Sequence, residues 1–243
     1  MKIYLGFDDT DVLGAPIGTG RLVRMFEKKL PSGVPLWGVL RHQLLMDERI
    51  PYTSHNSPAC AVVEVADASL VPVLIDLAIE HIAELASPGS DPGLCVARED
   101  ADFTGLIEFG LACTHAIETQ EHAVAVTSAA GVHLSGHGGT NDGIIGATAA
   151  VGLSVFGWSG RFLEFNRLRD LPDPVRVEQL IARGILPVSM DRDASVPAPD
   201  ALITTNGWIS PRLWGGRPVL PINFEEGRWL AQGKPPRDAA IAE

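Results

Sequence analysis

An α+β sandwich, with helices packed on a sheet, is the fold class the sequence predicts, and three observations carry it. Strand-like period-2 patterns alternate with amphipathic helical patterns through roughly the first hundred residues. Their order is strand, helix, strand, strand, helix, strand, which is the order of a split βαβ unit. The 243 residues, 46% hydrophobic and 20% charged, suffice for one large domain or two small ones with real cores.

Residues 2–7 read as the first strand, because Ile3, Leu5 and Phe7 alternate with Lys2, Tyr4 and Gly6. The strand runs into Asp8-Asp9-Thr10-Asp11 at its C-terminal end, where open α/β sheets usually bind ligands. A loop with Gly14 and Pro16 follows. From Thr19 onward Leu22, Val23, Phe26 and Leu30 share one helical face, while Arg21, Arg24, Glu27, Lys28 and Lys29 are left for water. Residues 35–43 form the second strand and 47–58 a polar, turn-rich loop. Residues 59–65 are apolar enough for a strand buried on both faces. The longest helical pattern spans 69–86, with Asp67 or Ser69 as cap and Pro72 tolerated in its first turn. Residues 93–97 close a ferredoxin-like βαββαβ unit.

The following stretch reads as a second unit: helix 104–119, strands 123–127 and 132–134, helix 143–155 and strand 161–165. The alternative makes 123–130 helical. The Gly and Ala content of 143–152 predicts a helix packed closely on its neighbours. After Pro172 the texture changes, which sets an expected boundary between 1–165 and a smaller α+β region, 166–243. There 175–183 reads as a short helix, and 201–204 and 218–224 as strands around a loop carrying Asn206, Trp208, Arg212 and Trp214.

Thirty acidic against 19 basic residues give a formal charge of −11 with no basic run, which argues against a broad nucleic-acid footprint. Cys60, Cys95 and Cys113 are far apart, form no CxxC pair and read as buried thiols. Neither a secretory segment nor a membrane-length apolar run is present, so a cytoplasmic protein without membrane contact is expected.

Three carboxylates at a strand end suit a divalent cation. Asp8, Asp9 and Asp11 are therefore the candidate Mg2+ ligands, because Mg2+ prefers one or two carboxylates plus phosphate oxygens. Thr10 helps to shape the turn. An Asx-turn with helix capping is the competing account. Gly18-Thr19-Gly20 at a helix start is not a Walker A sequence, so phosphate would be held by backbone amides, the Thr19 hydroxyl and Arg21 or Arg24. His55 is the candidate acid/base group, and Asn56 a metal or substrate ligand, both on the polar loop. A second cradle is Gly138, Gly139, Asn141 and Asp142, just before the Gly143 helix. The spacing of His133 and His137 invites a metal, but no third ligand is evident.

These blocks resemble the archaeal isoleucine-tRNA agmatinylcytidine synthetases: Gly6-Phe7-Asp8-Asp9-Thr10-Asp11 with Gly18-Thr19-Gly20, then Ile50-Pro51-Tyr52, then Gly143-Ile144-Ile145-Gly146-Ala147. The resemblance implies a kinase-like domain that uses ATP and Mg2+ to phosphorylate the C2 oxygen of a cytidine. Agmatine then displaces the phosphate. It also implies an accompanying ferredoxin-like domain and a phosphorylated threonine, matched by Thr19 or, without a gap, by Gly18. The family's basic run after Pro-Tyr is replaced by Thr53-Ser54-His55-Asn56-Ser57-Pro58, and Asp142 stands where it has an arginine. Its tRNA-gripping OB-fold and zinc ribbon have no counterpart in the sequence.

The expected function is ATP- and Mg2+-dependent phosphoryl transfer or ligation on a small-molecule acceptor, with an amine as possible co-substrate. Asp8, Asp9, Thr19 and His55 would be catalytic, and Thr10, Gly18, Gly20, Arg21, Asn56 and the 138–142 loop would bind the nucleotide or acceptor. Nucleic acid is not expected as a partner, and a homodimer is allowed. Two alternatives stand beside this: a nucleotide-binding module without catalysis, and tRNA cytidine modification with a separate RNA-binding partner.

Overall fold

The computed structural model describes residues 1–53, 55–192 and 195–233; Ser54 of the polar loop lies outside them. Strand β1 (Lys2–Asp8) lies between β3 (Ala59–Glu64) and β4 (Gly93–Arg98), antiparallel to both, and β2 (Leu36–Arg41) flanks β3. The resulting order β4-β1-β3-β2 is the ferredoxin-like arrangement expected from the sequence. Alternation divides β1 between two faces. Ile3, Leu5 and Phe7 pack under helices α1 (Thr19–Met25) and α2 (Val71–Leu85), against Leu22, Phe26, Leu74 and Ile82. Fully burying each such side chain stabilises the fold by about 1.5–3 kcal/mol. Asp67 begins the α2 segment as expected, accepting from the Ser69 amide.

The second half does not form a second unit. Helices α3 (Thr104–Ala112), α4 (Gln120–Ala130) and α5 (Gly143–Phe156) lie on the other face of the same sheet. Strand β5 (His133–Gly136) pairs with β4, and β6 (Arg161–Glu164) with β2, so they widen the first sheet at both sides. Residues 123–127 are helical, not a strand. Thr119 caps the helix by accepting from the His122 amide, and Gly131 ends it at φ +65. Its buried residues, Ala123 and Thr127, are one turn apart, so helical rather than alternating periodicity fits the burial.

Helix α5 is the close-packed helix that its small residues predict. A Cβ on Gly6 of β1 would overlap the Ala147 carbonyl, and one on Gly152 would overlap the Leu106 carbonyl of α3. Glycine at these positions lets α5 sit directly on the sheet and on α3.

Beyond β6 come β7 (Val175–Arg176), α6 (Val177–Ala182), β8 (Leu186–Ser189), β9 (Leu202–Thr204), β10 (Arg212–Trp214), β11 (Arg217–Glu225) and β12 (Arg228–Ala231). Strand β10 pairs with both β6 and β11, so the sheet runs on past residue 165 as β5-β4-β1-β3-β2-β6-β10-β11-β12-β9-β7, with β8 parallel beside β11. A second core of Leu40, Val62, Phe162, Phe165, Leu213 and Leu220 spans the junction. Cys60, Cys95 and Cys113 are buried free thiols, as read from the sequence. Among the described residues no helix is long and apolar enough to cross a membrane.

Candidate functional site

The site forms where β1 ends. Strand alternation turns Asp8 away from the α1 side and toward α5, where its carboxylate lies on Gly146 so closely that a Cβ there would overlap it. Gly143, one turn earlier, similarly admits the Asp91 and Gly93 backbones. The glycine spacing of the α5 start thus has a specific cause: it allows the helix N-terminus to abut the acidic strand end. Asp9 adopts φ +51, a left-handed conformation that aspartate tolerates better than most residues, and so redirects the chain.

Asp11 and Thr19 tie the acidic turn to α1. The Thr19 amide and hydroxyl donate to Asp11 Oδ1 at 3.1 and 3.0 Å. Thr10, fully buried, donates to Thr19 Oγ1 from its amide at 3.3 Å and its hydroxyl at 3.0 Å. Thr10 therefore lies beneath the site and holds Thr19, without facing the cavity that Thr19 lines.

That cavity has a volume of about 600 Å³, within the range of about 300–1,000 Å³ usual for ligand sites. Asp8, Asp9 and Asp11 form one wall, joined by Glu118 and by Asp142 at the start of α5. Arg21 and Arg24 of α1, with Arg41, Arg49 and Arg169, supply positive charge around it. Gly18 and Gly20 line it beside Thr19, and His55 and Asn56 line it from the polar loop. Asn56 Nδ2 donates to the Leu45 carbonyl at 2.8 Å, which pins that loop across its base.

The glycine-rich loop contributes less than its sequence suggests. Gly138, Gly139 and Asn141 are not among the lining residues; the loop folds on 90–92, with the His137 amide donating to the Pro92 carbonyl at 2.7 Å. Only Asp142 and the first turn of α5 reach the cavity. His133 and His137 sit on and beside β5, each with Nε2 bonded to Ser135 Oγ, at 2.9 and 2.8 Å.

Arg49 is paired with Asp47 and Arg169 with Glu164, whereas Asp8, Asp9, Arg24 and Arg41 are perturbed by burial and by like charges. Burial, followed by the charge of Asp9, pushes the Asp8 carboxyl up to about 8. Burial raises Asp9 to about 6, reinforced by Asp91, Asp11 and Asp142. On the basic side, burial and then Arg169 lower Arg24, and burial and then Arg161 lower Arg41. The carboxylates favour a bound cation and the guanidiniums a bound anion. Among the described residues no three His, Cys, Asp or Glu side chains converge to hold a metal ion alone. The contributions of Asp91, Glu118, Arg41, Arg49 and Arg169 were not legible in the sequence. None belongs to a motif; Glu118, Arg41, Arg49 and Arg169 reach the cavity from separate segments, and Asp91 acts on Asp9 from outside its lining.

No protein-family model matches the chain. No curated protein matches it either. Solved structures do. A TiaS–tRNA–ATP complex is similar with 27% identity and a TM-score of 0.54, over 63% of this chain and 36% of that one. A TiaS–tRNA–AMPCPP–agmatine complex gives 25% identity and 0.51, over the same shares. A tRNA fluorescent labelling enzyme gives 25% and 0.50. The chain thus spans about a third of the length of these structures, 36% in each case.

These neighbours correct the expectation that nucleic acid is not a partner, because two of them hold tRNA; one of those also holds agmatine, which meets the small-molecule expectation only in part. The net charge of −11 averages over the whole surface, whereas Arg21, Arg24, Arg41, Arg49 and Arg169 gather at one cavity. Over 63% of its length, then, the chain is similar in fold to roughly the N-terminal part of TiaS, a tRNA agmatidine synthetase.

Proposed function

We propose that the chain is an ATP- and Mg2+-dependent enzyme that phosphorylates an oxygen of a nucleotide within RNA, so that an amine can displace the phosphate. The observation that carries this is the meeting of an acidic strand end, Asp8, Asp9 and Asp11, with Arg21, Arg24 and Arg169 around one cavity. Carboxylates alone repel polyphosphate and arginines alone repel a cation; a cation–polyphosphate pair satisfies both. Mg2+, held by Asp8 and Asp9 with phosphate oxygens completing its shell, would supply charge neutralisation.

The chain's own residues then position and orient. Arg21, Arg24 and Arg169 bind the phosphates, and the α5 N-terminus adds its positive end. His55 faces the acceptor side as the acid/base residue. Transfer forms the acceptor O–P bond as the bond from the terminal phosphorus to the ADP oxygen breaks; amine attack then releases inorganic phosphate. Thr19 has two readings. Its hydroxyl donates to Asp11, a carboxylate placed to accept its proton, which favours a phosphorelay. Its further bond from Thr10 favours a scaffold.

The test is incubation with Mg2+ and ATP, with and without tRNA, followed by nucleotide analysis and intact protein mass. RNA-dependent ADP formation supports the proposal, AMP in place of ADP would overturn transfer of the terminal phosphoryl, and a protein phosphate adduct supports the relay. Tight ATP binding with no turnover over hours would leave a non-catalytic nucleotide-binding module instead.

A further inference from the structure

A line of arginines leaves the cavity along the sheet. Arg41 of β2 is directly opposite Arg161 of β6, and Arg161 is directly opposite Arg212 of β10. Directly opposed residues of antiparallel strands project to the same face. The preceding pair, Leu40 opposite Phe162, and Leu213 beside Arg212, are buried in the second core, so the three guanidiniums project from the other face. Three strands span about 10 Å at the usual strand spacing.

Like charges set directly opposite one another destabilise a sheet unless something neutralises them. Among the described residues none of the three arginines is ion-paired. Arg41 bonds Ser57 Oγ from Nε and Nη2 at 2.9 and 2.7 Å, which orients its guanidinium without cancelling its charge. Burial, and then the neighbouring Arg161, lower both Arg41 and Arg212, with Asp11 partly offsetting this at Arg41. Arg41 lines the cavity, so one end of the line opens on the candidate chemistry. At the other end Arg212 lies 5.5 Å from the ring of Trp214, two residues on and on the same strand face. The Trp158 ring, 63% exposed, lies against Gly215 at the adjoining turn.

We infer that Arg41, Arg161 and Arg212, with Trp214 at the outer end, form a track for a single-stranded RNA segment whose target nucleotide enters the cavity. The inference rests on the proposed RNA acceptor and names the surface that delivers it. Regularly spaced cations neutralise backbone phosphates, and an adjoining aromatic ring stacks a base; together they fit a nucleic-acid strand better than an acidic peptide, which has no use for the ring.

The experiment is fluorescence anisotropy of a short fluorescein-labelled single-stranded oligoribonucleotide with the full chain, across a salt series, without ATP. The wild type binds with a salt-dependent affinity. In the Arg161→Gln/Arg212→Gln double variant the log–log salt slope becomes shallower by about 1.4, at about 0.7 per lost phosphate contact. Trp214→Ala weakens binding about tenfold at unchanged slope, the scale of one stacked base. The Arg161→Lys/Arg212→Lys variant keeps the slope, which separates lost charge from lost fold.

Absence of oligonucleotide binding at low salt, an unchanged slope in the Gln variant, or equal affinity for a polyglutamate peptide would overturn the track. ATP turnover measured in parallel distinguishes the two readings. Turnover with an unchanged slope overturns the track alone. RNA binding through these residues without turnover overturns the phosphoryl-transfer reading and supports the track.

Discussion

Replacing Asp8 by Asn is expected to stabilise the nucleotide-free protein while abolishing ATP turnover. The Asp8 carboxyl, ordinarily near 3.8, titrates at about 8 in the folded chain, chiefly through burial and then through Asp9. Its folded value lies above the unfolded one, so the folded state prefers the protonated acid. Ionisation therefore costs stability progressively as pH rises from about 4 to about 8. At pH 7 the gap of roughly three pH units, at 1.36 kcal/mol each, sets an upper bound of about 4 kcal/mol. Asp8 keeps part of its surface in the cavity, so solvent screening leaves an expected gain of about 2 kcal/mol. Asn presents a similar shape with no charge to desolvate.

Urea unfolding in chelator at pH 5, 7 and 8.5 measures this. The variant should match the wild type most closely at pH 5 and exceed it increasingly toward pH 8.5. Added Mg2+ and ATP should then stabilise the wild type and not the variant. An Asp8→Asn protein less stable than the wild type at pH 8.5, or a difference independent of pH, refutes the argument that a crowded, buried carboxylate is held here for function.

Gly146→Ala should displace the Asp8 carboxylate, because its Cβ would overlap it; a shift of about 1 Å in a catalytic group costs on the order of 100-fold in kcat, to be read by steady-state ATPase assay with unfolding as control. Thr19→Val removes the bond to Asp11 and the acceptor for Thr10, and should cost about 1–3 kcal/mol. Thr19→Ser should keep the fold and, under the relay reading, the protein phosphate adduct seen by intact mass. His42 is buried between Ser154 and Ser159, 2.9 and 3.3 Å away, and burial holds it down at about 3. Its folded value is depressed, so the neutral ring contributes stability above pH 6.5 that is lost as pH falls toward 3, up to about 5 kcal/mol. His42→Gln should flatten that part of the stability–pH curve.

Much of the fold is local enough to be written in the sequence. The alternation of Ile3, Leu5 and Phe7, the spacing of Leu22, Val23 and Phe26, and the Asp67 cap each involve neighbours within a few residues. They therefore specified the β1-to-β4 unit and placed Asp8, Asp9 and Asp11 at a strand end. The small residues of α5 announced close packing because only a Cβ-poor face can approach backbone so nearly. Residues 123–127 misled because Val124 and Val126 suit a strand, while burial of Ala123 and Thr127 on neighbouring helices decided for α4.

What faces what was decided only by tertiary structure. Asp91 approaches Asp9, and Arg169 approaches Arg24, from loops distant in sequence. Arg41, Arg161 and Arg212 are aligned by strand pairing across more than half the chain. Local periodicity records which side of an element is buried, but pairing between remote strands is set by the joint packing of the whole sheet. The sequence alone thus determined an acidic strand end within an α+β unit; the fold determined that cationic side chains surround it and continue along the sheet.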